Sequence, residues 1–480
     1  MRLAVVLLLV LSLAAVSAEP KSELRRLVTL SRHGSRAPNG VVETICPGAA
    51  RVNAYHVPLE QLTEVGMRQM LAAGEHLRAV YVDEKRFLAP SFNGVNNSHF
   101  ETYFRADAAT RCSQSATALG YGLYPDGTGP HGFPRQPVPV TMQLLPNEHD
   151  FAAPKGPCSA VLNADLSAYA TSRALELIEK NRAALDAMGE VCGVALDEIP
   201  TVPGGEDLVL GVKDIADMFI FDRDEGLPRA KGLTAEVSDQ LEHLAFQHLM
   251  ERYYSTDREV TYWVGGFADL LLSNLNAAAH PGSPSPAEYR YFSYHGHREL
   301  LHGLGKMLGW NFRFEGLPEA MNMTALHPAT TLAFELHART DAATGAESYF
   351  VETYIWSPKT AREQVALAKC SARACPLDEF KAIVATHIAK TGTWQEICNY
   401  HPIQAPANDL AQQPAAVATT TTTTSSSSTT TTVGNDSLWA RVSSGSLIVL
   451  AVAFAMCLVF AVYKAAMHMR ALRRQGYMPI

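Results

Sequence analysis

The apolar run Leu27-Val28-Thr29-Leu30 passes almost directly into Arg32-His33-Gly34-Ser35-Arg36-Ala37-Pro38. A short run of this kind reads as a buried strand, of the sort found in sheets covered on both faces. The residues after it cannot continue the strand, because Gly34 and Pro38 favour a turn. Two arginines and a histidine are thereby gathered where open α/β sheets bind ligands, beyond the carboxyl end of a strand. Guanidinium groups offer planar, bidentate donors to phosphate oxygens. An imidazole held between them can attack phosphorus.

Other segments supply a sheet for that strand. Leu27 to Ser31, Phe100 to Phe104, Tyr289 to Tyr294, Thr331 to Leu336 and Tyr349 to Trp356 read as strands. Gln61 to Val80 reads as an amphipathic helix with Leu62, Met67, Met70, Leu71 and Leu77 on one face. A second helix runs to about Leu119, and a third covers Leu300 to Leu308. Strand-then-helix units predict an α/β fold, a mainly parallel sheet flanked by helices. From about residue 121 to 256, helical stretches such as Leu166 to Ala187 and Thr234 to Tyr254 predict an inserted, mainly α-helical smaller lobe.

Both ends of the chain carry targeting signals. Met1-Arg2, the apolar Leu3 to Ala15 and the small residues Val16-Ser17-Ala18 predict a secretory signal peptide over residues 1–18. The ectodomain is expected over 19–403. A stalk over 404–440 comes next, almost pure Thr and Ser from Thr419 to Thr432, with nothing to bury. Residues 445–463 are uncharged, mostly apolar and long enough to span a bilayer. Lys464, Arg470, Arg473 and Arg474 place the tail, 464–480, in the cytosol. This predicts a single-pass type I protein whose catalytic domain is lumenal or extracellular, in endosomal, lysosomal or cell-surface membrane. Tyr477-Met478-Pro479-Ile480 resembles an endocytic sorting signal, so a clathrin adaptor is a candidate partner through Tyr477 and Ile480. Asn96, Asn322 and Asn435 head glycosylation sequons. The formal net charge of −8 argues against nucleic acid as a partner.

Arg32-His33-Gly34-x-Arg36-x-Pro38 resembles the signature of the histidine acid phosphatases, branch 2 of the histidine phosphatase superfamily. The resemblance extends over roughly residues 25 to 400. It includes Gln61-Leu62-Thr63 with Gly66-Met67, the pair Arg105 and Arg111, Pro328 to Leu336, and Cys375-Pro376-Leu377. With the apolar span and the tail tyrosine, the chain is most similar to the membrane-bound lysosomal and prostatic type. The resemblance implies a phosphoglycerate-mutase-like fold and hydrolysis of phosphate monoesters at acidic pH through a phosphohistidine. His33 would be the nucleophile, Arg32, Arg36, Arg111 and His297 would hold the phosphoryl group, and no cofactor would be needed. Dimers are common in this type.

The chain departs from the family at its second signature, usually His-Asp, in which the Asp protonates the leaving oxygen. Here the segment is His295-Gly296-His297-Arg298-Glu299, which puts His297 at the histidine position and Arg298 in place of the aspartate. Arginine cannot release a proton at useful pH. Glu299 is the expected substitute, since His-x-Glu resembles the His-Ala-Glu of the inositol polyphosphate phosphatase branch and the extra methylene extends the carboxyl's reach. His295 and His297, alternating on a strand, share a face and could ligate a metal. Zinc would require further convergent ligands, and the arginine motif accounts for the site without one. His302 is expected to be structural.

Seven cysteines lie outside the apolar span, so at least one thiol is free. Cys370 and Cys375 are close enough to close a small loop. The family resemblance pairs Cys398 with Cys158 and leaves Cys46, Cys112 and Cys192 unassigned, Cys112 having a buried free thiol as its simplest reading. Arg298 and the tail also leave room for an alternative, a catalytically weak phosphatase-fold receptor or endocytic cargo. A phytase-like activity rests on the His-x-Glu analogy alone.

Overall fold

The structure is a computed structural model that describes residues 22–91, 101–130, 132–170, 172–195, 208–280, 289–310 and 326–401. The signal peptide, stalk, apolar span, sorting tail and three sequons lie outside the described residues. No helix among the described residues is long and apolar enough to cross a membrane.

The expected strands form, with shifted ends: β1 (Ser22–Arg32), β2 (Thr102–Ala106), β3 (Val140–Met142), β4 (Tyr291–Gly296), β5 (Thr331–Thr340), β6 (Glu347–Ser357) and β7 (Thr360–Val365). They lie in the order β3-β2-β4-β1-β5-β6-β7, and the two-residue β8 (Cys375–Pro376) also pairs with β6. From β3 to β1 every pairing is parallel. From β1 onward the pairings are antiparallel, so the sheet is mixed. The antiparallel half reflects chain length. Only the turn at residues 341–346 separates β5 from β6, too short for a parallel crossover.

Helices cover both faces. Along β1, Leu27 packs into one core while Val28 and Leu30 pack into the other, as the period of two requires. On Leu27's side lie α1 (Glu64–Arg78) and α2 (Thr110–Leu123), contributing Met70, Leu77 and Leu119. The helical lobe comprises α3 (Ser159–Ala170), α4 (Arg173–Lys180), α5 (Arg182–Cys192), α6 (Leu208–Asp224) and α7 (Ala235–Tyr253). The opposite core of the sheet is built by α8 (Asp257–Ala279), α9 (Arg298–Leu308) and α10 (Leu377–Thr391), with Phe267, Leu301 and Phe380.

The lobe has its own core, in which Leu185, Met188, Ile215, Met218 and Leu241 pack with Val42 and Ile45. The expected helix from Leu166 to Ala187 is broken. Asn181 bonds its side-chain amide to the Leu177 carbonyl at 2.8 Å, a local bond that competes with helix continuation. β3, inside the range expected for the lobe, joins the sheet instead. Disulfides join Cys158–Cys398 and Cys370–Cys375 as the resemblance implied, and Cys46–Cys192 ties the loop after β1 to the lobe. Cys112 is a buried free thiol.

Candidate active site

The carboxyl ends of β1, β2 and β4 are neighbours in the sheet, and the loops leaving them converge. His33 is pinned between strands, its N–H donating to Gly296 O at 3.0 Å and its carbonyl accepting from Ala329 N at 3.0 Å. Gly34 lies against α1 so closely that a Cβ would stand 2.3 Å from Gly66 O, while a Cβ on Gly66 would stand 2.0 Å from Ser35 O. Two glycines therefore let the motif loop dock on the first turn of α1, where Thr63 caps the helix by accepting from Gly66 N at 3.0 Å. Ser35 Oγ and Thr63 Oγ1 both donate to Glu225 Oε1, at 2.7 and 2.6 Å, fastening this corner to the lobe.

The resulting cleft has a volume of about 210 Å³ and is lined by Arg32, His33, Arg36, Asn39, Glu60, Arg111, Lys155, Lys213, Asp217, His297, Arg298 and Glu299. All six site residues expected from the sequence are among them. Arg111 comes from the first turn of α2 and pairs with Glu60 at 3.3 Å. His297 is the N-cap of α9, and Glu299 lies in its first turn. The positive end of that helix thus faces the cleft, a favourable place for an anion.

His33 Nδ1 lies 2.8 Å from Gly34 O. A carbonyl can only accept, so the proton is on Nδ1 and the lone pair on Nε2. Burial, then Arg111, His297, Arg32 and Arg36, hold the imidazole well below its ordinary pKa, which favours the neutral ring. Its ring meets that of His297 edge-on, centroids 5.3 Å apart. His297 Nε2 pairs closely with Asp107, the residue after β2. Burial lowers His297 and Asp107 raises it, and the net shift is downward. Burial and neighbouring cations lower Arg32 to about 9 and Arg36 to about 10, and both remain charged at any working pH.

Arg298 and Glu299 divide the roles that the sequence left open. Arg298 is clamped by Asp217 of α6, Nη1 to Oδ1 at 2.6 Å and Nη2 to Oδ2 at 2.9 Å, with Lys213 3.2 Å from the same carboxylate. It is a lobe-to-sheet tie. Glu299 Oε1 lies 3.7 Å from Arg298 Nε. Burial pushes the Glu299 carboxyl up, but Arg298, Lys213, His297 and Lys155 together hold it well below the usual range. Asp217, buried among the same cations, is likewise held far down. Its share of the folding energy is present above the unfolded pKa, about 3.9, and is lost only as pH falls through the much lower folded value. Asp217→Ala should therefore cost about 3–5 kcal/mol at neutral pH and at about pH 5 alike, by leaving buried Arg298 with only the looser contact to Glu299. Urea unfolding at both values checks this; a loss under about 1 kcal/mol would show that the tie contributes little.

Arg105 does not reach the cleft. It pairs with Asp150 at 2.6 Å and Glu148 at 3.1 Å behind it. His295 is buried on β4 against Ser293 Oγ at 2.9 Å, and His302 is buried within α9. Neither lines the cleft. Asp107, Cys112 and His297 each offer a ligand atom, all within 4.8 Å of one another. Arg111 and Lys155 stand close enough to oppose a dication there. Sequence reasoning did not select Asp107, Lys155, Lys213 or Asp217. Only Asp107 carried a signal, its position directly after a strand beside the other strand-end residues.

The profile of the histidine phosphatase superfamily (branch 2) matches residues 23–355. The chain belongs to that family. Lysosomal acid phosphatase of Xenopus laevis is 26% identical over 404 residues, which is 82% of this chain and 83% of that protein. Testicular acid phosphatase of Mus musculus is 34% identical over 137 residues, 28% of this chain and 30% of that one. Among solved structures, the apo phytase of Hafnia alvei superposes with a TM-score of 0.58 at 17% identity, covering 80% of this chain and 99% of its own. The phytase of Citrobacter braakii gives 0.57 at 16% identity, covering 76% and 98%. These two likenesses establish the fold. This histidine phosphatase is a phosphoric monoester hydrolase.

Proposed function

We propose that this histidine phosphatase is a membrane-anchored acid phosphatase that cleaves phosphate monoesters through a phosphohistidine at His33, on the lumenal or extracellular side. The observation that carries the reading is the bond between His33 Nδ1 and Gly34 O, which leaves Nε2 with its lone pair in a cleft walled by guanidinium groups. Arg32, Arg36 and Arg111 supply donors matched to charge spread over the phosphoryl oxygens. An arriving phosphate favours the imidazolium form of His297, which can then bridge Asp107 and a phosphoryl oxygen.

Nε2 attacks phosphorus, the P–N bond forms and the P–O bond breaks. The leaving oxygen takes its proton from Glu299. Water then attacks the phosphorus, a new P–O bond forms as the P–N bond breaks and frees His33, Glu299 recovers a proton from that water, and inorganic phosphate departs. The basic residues after the apolar span and the Tyr477/Ile480 tail support type I anchoring and adaptor-read delivery to endosomes or lysosomes. The likeness to a lysosomal acid phosphatase supports the same route.

Rapid quenching in alkali of the full-length protein with a ³²P-labelled alkyl phosphate tests the intermediate. The expected result is an alkali-stable, acid-labile phosphoenzyme approaching one per chain, formed equally in chelator. Turnover with no such species would sink the phosphohistidine. Phosphate binding with no turnover at all would favour the receptor or cargo reading.

A further inference from the structure

We propose that Lys155 makes this cleft selective for monoesters whose leaving group carries a second anionic group, a carboxylate or another phosphate. The inference rests on the phosphatase reading above and narrows it to a substrate class. None of the twelve described residues lining the cleft has an apolar side chain. An acyl or aromatic leaving group finds nothing there to bury against. Six of the lining residues are basic and three are acidic.

The six bases are not equivalent. Arg298 is committed to Asp217, Lys213 to Asp214 and Asp217, and Arg111 to Glu60. Arg32 and Arg36 flank the nucleophile in sequence. Lys155 forms no ion pair among the described residues. Its backbone is nonetheless fixed. Ala153 and Pro154 beside it are buried, Cys158 is bonded to Cys398, and Glu148 and Asp150 just before it are gripped by Arg105. Lys155 is thus an exposed lysine lining a polar cleft with its backbone anchored on both sides, and its ammonium is available to an anion there.

The lysine also sits on a particular side. It lines the same cleft as His297 and the proton donor Glu299, and it lies outside the Arg32-His33-Arg36 loop that carries the nucleophile. With Arg32, Arg36 and Arg111 serving the phosphoryl group, Lys155 is the base left for the leaving group.

A matched pair of substrates isolates the effect. 3-Phosphoglycerate and glycerol 3-phosphate differ by a carboxylate in place of a hydroxymethyl group. With full-length protein at about pH 5.5, where the carboxylate is ionised, the wild type should favour 3-phosphoglycerate by about fivefold in kcat/KM. The difference should lie in KM, as expected for binding shared by ground and transition states. Lys155→Met should abolish the preference, Lys155→Arg should retain it, and about 0.5 M salt should shrink it. Equal hydrolysis of both esters by wild type and Lys155→Met would overturn the inference and leave the phosphatase standing. Hydrolysis of neither ester by wild type would overturn both.

Discussion

Replacing His33 by Ala should lower kcat for any monoester by at least about 10⁴-fold, the scale of loss seen when a covalent nucleophile is removed. No other described side chain of the cleft takes its place. His297 gives its Nε2 to Asp107. Cys112 is fully buried, and burial pushes its thiol far above the ordinary range, so it is no thiolate. Arg32 and Arg36, lowered only to about 9 and 10, keep their protons. The fold should survive, because His33 is held by backbone bonds to Gly296 and Ala329 that a methyl side chain leaves in place. Arg32, Arg36 and Arg111 also remain, so inorganic phosphate should still bind. Steady-state kinetics, calorimetric phosphate titration and thermal unfolding together check the claim. Residual activity within about tenfold of wild type would assign the nucleophile elsewhere.

What could be read from the sequence depended on how local each signal was. Arg32, His33 and Arg36 are contiguous and stand at the end of an apolar strand, so their convergence needs no tertiary information. Arg111 and Glu299 arrive from the first turns of two helices and His297 from the N-cap of one, and a family likeness is needed to bring them to the same place. Arg105, the other arginine of the family-like segment, is captured behind the cleft by Glu148 and Asp150. Lys155, Lys213 and Asp217 come from the lobe and its approach, in segments with no motif; only docking of the lobe reveals them. The same holds for Cys46 and Cys192, separated by 146 positions. The mixed character of the sheet was the more accessible omission. Asp341-Ala342-Ala343-Thr344-Gly345-Ala346 is a turn between two strands, and a turn that short dictates an antiparallel pair. Helix continuity through residue 181 was misread because apolar periodicity persists across a side chain that bonds its own backbone.

Glu299→Gln should reduce hydrolysis of an alkyl phosphate by about 10²–10³-fold, the usual worth of a positioned proton donor. The objection is electrostatic. Glu299 is held well below the usual carboxylate range, which favours its unprotonated form. The substrate changes that balance. A phosphoryl group set among Arg32, Arg36 and Arg111 brings negative charge into a cleft whose bases outnumber its acids, and this raises the Glu299 carboxyl. An ester that arrives as the monoanion also brings a proton of its own, since its second ionisation lies near about pH 6. The reactive complex needs one proton shared between ester and Glu299. For the wild type, kcat/KM on an alkyl ester should therefore fall as pH rises above about 6. p-Nitrophenyl phosphate separates the steps, because p-nitrophenolate leaves without help. With it, Glu299→Gln should still release about one equivalent of p-nitrophenol per chain in a rapid burst. Slow turnover should come after the burst, because the same carboxyl no longer takes the proton from the water that attacks the phosphohistidine. An equal fall for alkyl and aryl esters with no burst, or full activity on both, would remove Glu299 from the reaction. Asp107, the remaining carboxylate in contact with His297, would then be the one to test.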